Sequence, residues 1–212
     1  MSSEEVNHPL FARMYTRLSS FMEQEVGVYR DELLEGLSGR VLEVGAGNGM
    51  NFAHYGGDID EVVALEPEEY MRDRAAEATA GASVPITIVD GLATPLPFED
   101  DSFDAVVFCL VLCSINQPVS ALSEARRVLK PGGTLRFFEH VRSRRGGKSR
   151  VQDILDNSGI WPKIGGGCHC ARDTAASVSE AGFEITEMRG MGVGPGWGHT
   201  NPHILGRARR PD

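Results

Sequence analysis

The stretch Val41-Leu42-Glu43-Val44-Gly45-Ala46-Gly47-Asn48-Gly49 decides the reading of this chain. Val41, Leu42 and Val44 make a short apolar strand, and a run of alternating glycines ends it. Glycine lets the backbone turn sharply and approach a ligand closely. A helical pattern around Met50–Tyr55 follows, so the segment reads as strand, glycine turn, helix. In an open parallel sheet such a turn lies beyond the carboxyl ends of the strands, where ligands bind. A lone glycine triplet is as often an ordinary turn, so its surroundings decide.

Outward from this turn the apolar period switches repeatedly between strand and helix. Pro9 to Leu37 reads as two helices, one with Leu10, Met14, Leu18 and Phe21 on a stripe, the next with Val26, Leu33, Leu34 and Leu37. Arg40–Gly45, Glu61–Glu66 and Pro85–Val89 read as strands, and Pro67–Ala80 as a helix opened by proline. Phe103–Leu112 is a nearly unbroken apolar run, as in a strand covered on both faces. Pro118–Lys130 is helical until Pro131-Gly132-Gly133 stops it, and Thr134–His140 is the next strand. Helices are predicted at Val151–Asn157 and Asp173–Ala181, and strands at Phe183–Arg189 and His203–Arg209. This alternation implies an α/β fold, Rossmann-like, with a mostly parallel seven-stranded sheet and helices on both faces. One structural domain is expected, with residues 1–38 as a helical cap on a nucleotide-binding core of residues 39–212.

The 212 residues suit one core of this kind. No run reaches the roughly 18 apolar residues of a membrane span. Met1 to His8 is acidic and polar rather than a secretory signal, so a cytoplasmic location is expected. The net charge of −9 opposes phosphate tracking, and no nucleic-acid partner is expected. Cys109 and Cys113 lie in an apolar run and read as small core residues, while Cys168 and Cys170 flank one histidine. That pattern is no disulfide framework and fits a reducing compartment. Cys168-His169-Cys170 lacks the second ligand pair of a zinc site, so no metal is expected.

Two acids sharpen the nucleotide reading. Glu66 ends the second strand, about 20 residues beyond the glycines, the position that takes ribose hydroxyls. Asp90 ends the third strand, where a carboxylate can accept from an adenine amino group. The dinucleotide fingerprint spaces its glycines as G-x-G-x-x-G; here the third comes one residue early, and Met50 and Asn51 follow it. Glu43 would repel a pyrophosphate but suits a ligand carrying an ammonium and a sulfonium. The electrostatics favour S-adenosylmethionine, with S-adenosylhomocysteine as product, over NAD.

These residues resemble a known family. Glu43-Val-Gly45-Ala-Gly47-Asn-Gly49, Glu66, Asp90-Gly91-Leu92-Ala93 with Leu96-Pro97-Phe98, Ser102-Phe103-Asp104 and Leu129-Lys130-Pro131-Gly132-Gly133 are similar to the successive motifs of class I methyltransferases of the ubiquinone-biosynthesis type. Leu110-Val111-Leu112-Cys113-Ser114, Phe138-Glu139-His140-Val141, Gly167-Cys168-His169 with Arg172, and Pro202-His203-Ile204-Leu205-Gly206 resemble the methyltransferase-like thiol S-methyltransferases of animals and their bacterial relatives. The resemblance implies that Gly45, Gly47 and Gly49 line the methionine part of the donor and that Glu66 holds its ribose. It also implies that Asp90 with Gly91 and Leu92 borders the adenine, and that Cys109, Leu110 and Val111 lie beneath the donor. Ala46, Asn48, Asn51 and Pro67 complete the expected donor site.

For the acceptor, a small molecule is expected, with a thiol preferred. N- or C-methylation of a lipid or quinone is an alternative, as is a donor-binding scaffold without chemistry. His140, at the end of the fifth strand, and His169, in a loop that could fold over the same edge, are the candidate bases. His203 reads as structural. The basic run Arg142, Arg144, Arg145, Lys148 and Arg150 reads as a solvated loop, or as a contact for an anionic tail or lipid surface. Phe11, Tyr15 and Phe21 of the N-terminal segment are expected to shape the acceptor pocket.

Overall fold

Val41, Leu42 and Val44 are buried because their strand, β1 (Ser38–Val44), runs through the middle of a sheet covered on both faces. The computed structural model describes residues 9–212; Met1 to His8 and the side chains of Pro9, Leu10, Ser20 and Phe21 lie outside the described residues. The other strands are β2 (Asp58–Leu65), β3 (Ile86–Val89), β4 (Phe103–Cys109), β5 (Leu129–His140), β6 (Glu184–Gly192) and β7 (Pro202–Arg209). They form one seven-stranded sheet in the order β3-β2-β1-β4-β5-β7-β6. Only β7 runs against its neighbours. This is the Rossmann-like, mostly parallel α/β sheet anticipated above.

One face of the sheet packs Leu42, Val106 and Phe137 under α3 (Pro118–Val128) and α6 (Thr174–Glu180) through Leu122, Ala125 and Val178. The other packs Val41, Val107 and Phe138 under α1 (Pro9–Leu34) and α2 (Glu69–Ala78) through Val26, Leu33 and Ala75. Two short helices, α4 (Gly146–Asn157) and α5 (Ile160–Ile164), follow the carboxyl end of β5. Strand order reverses between β1 and β4, which puts the ligand crevice beyond their carboxyl ends. Among the described residues no helix is long and apolar enough to cross a membrane.

Several boundaries differ from the sequence expectation. Pro9–Leu34 is one helix, not two. Its buried seam is Ala12, Ser19, Val26 and Leu33, evenly spaced, whereas Met14 and Leu18 of the expected stripe face solvent. The upper seam is built from small residues, so hydrophobicity misplaced it, and Gly27 interrupts neither the helix nor its burial. Met50–Tyr55 is not a helix but holds a single 3-10 turn at Phe52–His54, followed at once by Gly56 and Gly57. β4 stops at Cys109, because Leu110 takes a left-handed φ of 57° and turns the chain out of the sheet. β5 begins at Leu129, α4 at Gly146, and β6 runs on to Gly192, each beyond the predicted bounds.

Candidate functional site

The turn after β1 is held by its neighbour strand. The N–H groups of Gly45 and Ala46 donate to the Leu65 carbonyl at 2.8 and 3.1 Å. Gly45 has φ of 71°, and a Cβ there would meet Val111 Cγ2 at 2.2 Å. Only glycine satisfies both conditions. The Gly47 N–H donates to Glu66 Oε2 at 2.8 Å and the Glu68 N–H to Glu66 Oε1 at 3.0 Å, so one carboxylate at the end of β2 shapes the glycine turn. Burial raises the Glu66 pKa above the ordinary carboxylate value, partly offset by these two bonds. Each carboxylate oxygen keeps acceptor capacity for a ligand hydroxyl.

Beyond these strand ends lies a cavity of about 340 Å³, a volume that suits a small ligand. Gly45, Glu66, Pro67, Gly91, Leu92 and Val111 of the predicted donor site line it. Ser114, Gly166 and Gly167 also line it and were not among the predicted residues. The glycine pair has its own reason: Gly166, with φ of 61°, lies against the Phe11 ring of α1, where any Cβ would come within 2.3 Å.

The remaining predicted residues stand behind or beside the cavity. Glu43 is buried and accepts from Asn51 Nδ2 at 2.7 Å and from the Tyr55 hydroxyl at 2.9 Å. Burial pushes its pKa up to about 7 against those bonds. Asn51 in turn accepts from Arg30 Nη1 at 2.5 Å, and the same guanidinium donates to Cys109 Sγ at 3.3 Å. Burial lifts the Cys109 thiol to about 11. Asn48 donates to Ser19 of α1 at 3.1 Å. Asp90 does not reach the cavity wall: its exposed carboxylate pairs with Arg72 at 3.0 Å. Leu110 supplies the turn itself.

Arg30 is the residue that sequence reasoning missed. It lies within the apolar set Val26, Leu33 and Leu34 and is buried with them. A lone arginine on a buried helical stripe was the available signal, since an arginine is rarely buried without a partner. Tyr15 of the same helix stacks on Phe11 at 5.7 Å, and burial raises its hydroxyl to about 12.

At the ends of β4 and β5, Glu139 Oε1 accepts the N–H groups of Val111 and Leu112, both at 3.0 Å, and so fixes the turn after β4. Burial raises Glu139 to about 8. That turn delivers Cys113 to His140 and Cys168. Cys168 Sγ lies 3.0 Å from His140 Nε2 and accepts from Trp161 Nε1 at 3.1 Å. The hydrogen bond from Cys168, with His140 alongside, holds the Cys113 thiol well below its ordinary pKa. Burial disfavours a charged His140, but Cys113 and Glu139 outweigh it and raise its pKa. His169 stands apart from this group, partly exposed and 3.9 Å from Asp156, with only its N–H tied to the Cys113 carbonyl at 2.8 Å. His203 is buried, stacks on Phe138 and meets the Asn201 carbonyl at 2.9 Å. In the basic run, Arg142 pairs with Asp153 and Lys148 donates to the Gly196 carbonyl, so part of its charge is used within the fold.

The chain is similar to known methyltransferases. A family model described as a methyltransferase domain matches residues 42–137. Thiol S-methyltransferase TMT1B of Rattus norvegicus is 33% identical over 206 residues, covering 94% of this chain and 82% of that protein. The Homo sapiens TMT1B is 35% identical over 182 residues, covering 82% and 73%. A demethylmenaquinone methyltransferase of Clavibacter sepedonicus is 38% identical, but over 47% of this chain and 40% of its own length. Among solved structures, an S-adenosylmethionine-dependent methyltransferase of Mesorhizobium loti superposes with a TM-score of 0.65 at 18% identity, covering 88% and 98%. The [4+2]-cyclase SpnF superposes at 0.66 and 22% identity, covering 92% and 80%. These two likenesses are of fold alone, and one fold carries more than one chemistry.

Proposed function

The chain belongs to the thiol S-methyltransferase family of TMT1B and TMT1A, and from that membership we propose that it methylates the sulfur of a small thiol. It is an S-adenosylmethionine-dependent methyltransferase, with S-adenosylhomocysteine as by-product. The observation that supports a thiol acceptor is identity of 33–35% to thiol S-methyltransferases across most of both chains.

The residues fit the donor. At Gly47 a Cβ would project into open space, and Glu66 lines the cavity. We assign Gly45, Ala46, Gly47, Asn48 and Gly49 to its methionine part, Glu66 and Pro67 to the ribose, and Gly91 and Leu92 to the base. Glu43, Asn51, Cys109 and Arg30 form the buried support of that turn. Asp90 would have to leave Arg72 to take part. When bound, the sulfonium supplies an activated methyl group and a neutral leaving group. The chain then contributes position, and orientation alone can account for about 7–11 kcal/mol of a barrier.

A free thiol of pKa about 8.5 already carries a few per cent of nucleophilic thiolate at neutral pH, so this acceptor makes the smallest demand for a base. We therefore assign neither His140 nor His169 an obligatory proton transfer. The test is methyl transfer from labelled S-adenosylmethionine to alkyl and aryl thiols, set against quinone and amine acceptors. Thioether product is expected. Transfer only to a quinone or amine would replace the thiol reading, and donor binding without transfer to any acceptor would make the chain a scaffold.

A further inference from the structure

The cysteine chemistry of the 165–172 loop is not arranged as its spacing suggests. Cys170 Sγ turns to Asp156 at 3.3 Å, and His169 faces the same carboxylate. Cys168 instead joins Cys113, which follows β4, and His140, which ends β5. The sulfurs of Cys113 and Cys168 and a ring nitrogen of His140 lie within 4.8 Å of one another, and all three residues are buried. Three separate segments supply these donors, which no pair close in sequence does.

We propose that Cys113, His140 and Cys168 bind a zinc ion and that its fourth position takes the acceptor thiolate. Two soft sulfurs and an imidazole are zinc donors, and three protein ligands with one open position is the pattern of catalytic rather than structural sites. Tetrahedral bonds of about 2.3 Å to sulfur and 2.0–2.1 Å to nitrogen set the donors roughly 3.5–3.8 Å apart, within the observed spread. The 3.0 Å contact between Cys168 Sγ and His140 Nε2 then opens by about half an ångström. Two outer contacts preset the group: Trp161 Nε1 donates to Cys168 Sγ, and Glu139 fixes the turn that carries Cys113. The other ring nitrogen, His140 Nδ1, is buried without a partner among the described residues. The imidazole thus makes no hydrogen bond beyond the cluster, and Nε2, the nitrogen that faces Cys168, is the one that would bind the metal.

The open position is placed by the chain neighbours. Ser114 follows Cys113, Gly167 precedes Cys168, and both line the cavity that holds Gly45 and Glu66. An entering thiol gives its proton to solvent and a sulfur lone pair to the metal; nothing is oxidised or reduced. This second part rests on the thiol reading above, whereas the metal site does not.

The experiment uses the full chain loaded with cobalt(II), whose spectrum reports thiolate ligands and tetrahedral geometry without any turnover. Binding of about one metal per chain with thiolate-to-cobalt charge-transfer bands is expected. Cys113→Ser and Cys168→Ser should each lose those bands, while Cys170→Ser keeps them, with circular dichroism confirming that each variant folds. Adding 2-mercaptoethanol should shift the bands of the wild-type protein. Absence of bound cobalt and zinc overturns the site; bands that survive both serine substitutions overturn its ligands; bands indifferent to added thiol overturn the open position. A cobalt spectrum as expected, with no thioether formed in the transfer assay, would refute the thiol reading and leave the metal site standing.

Discussion

Glu66 performs two tasks with one carboxylate, accepting two backbone N–H groups and facing the cavity. Glu66→Ala should therefore weaken S-adenosylmethionine binding by about 1–3 kcal/mol, the cost of losing a charged hydrogen bond, as read by calorimetry. Gly45→Ala is harsher. The left-handed backbone alone costs roughly 1–2 kcal/mol with a side chain, and the new Cβ strikes Val111. Urea denaturation should show a loss larger than that conformational cost, with donor affinity falling as well. Glu43 makes a pH prediction. Its folded pKa is raised from 4.5 to about 7, so between those values the folded state holds a proton that the unfolded state has released. Stability from this group is full below about 4.5 and is lost as pH rises through about 7, a change of roughly 3 kcal/mol. Glu43→Gln should remove that slope, so the difference in unfolding free energy between wild type and variant must itself vary with pH. A constant difference would show that Glu43 ionises normally.

At the scale of elements, the 165–172 loop is tied down by Asp156 of α4. Its carboxylate accepts the N–H groups of Cys170 and Ala171, both at 2.9 Å. Asp156→Ala should cost about 2 kcal/mol or more, because each charged hydrogen bond is worth about 1.5–3 kcal/mol, and should raise the acceptor KM more than that of the donor. Asp153→Ala, which breaks only an exposed pair with Arg142, should change stability by about 1 kcal/mol at most in the same denaturation series. Strands and the glycine turn were legible because β-branched runs and glycines announce themselves locally. The single helix α1 was not, because its seam uses Ala12 and Ser19, too small to register as apolar. Nor was the end of β4: Leu110 carries no sequence mark of a left-handed turn, and only the Glu139 carboxylate beneath the following N–H groups explains it. The meeting of Cys113, His140 and Cys168 is a tertiary fact that no spacing rule reaches.

For the whole molecule, the alternation of elements was enough to foresee a doubly covered sheet, since parallel strands must be buried on both faces. Strand order then supplied what alternation could not, the reversal between β1 and β4 that locates the crevice. A ligand of this crevice should accordingly stabilise the entire fold: at 100 times its Kd, the by-product S-adenosylhomocysteine adds about 2.7 kcal/mol, visible as a raised Tm. The central claim is that the ends of β1, β2 and β3 converge with the turn after β4 on one adenosyl ligand. A crystal structure of the complex with S-adenosylhomocysteine tests it most directly. The ribose hydroxyls should lie within hydrogen-bond distance of Glu66, with the amino-acid part along Gly45–Gly49 and the sulfur toward Ser114 and Gly167. Density for the ligand in any other cavity, or a Glu66 carboxylate that touches no ribose oxygen, would contradict the account.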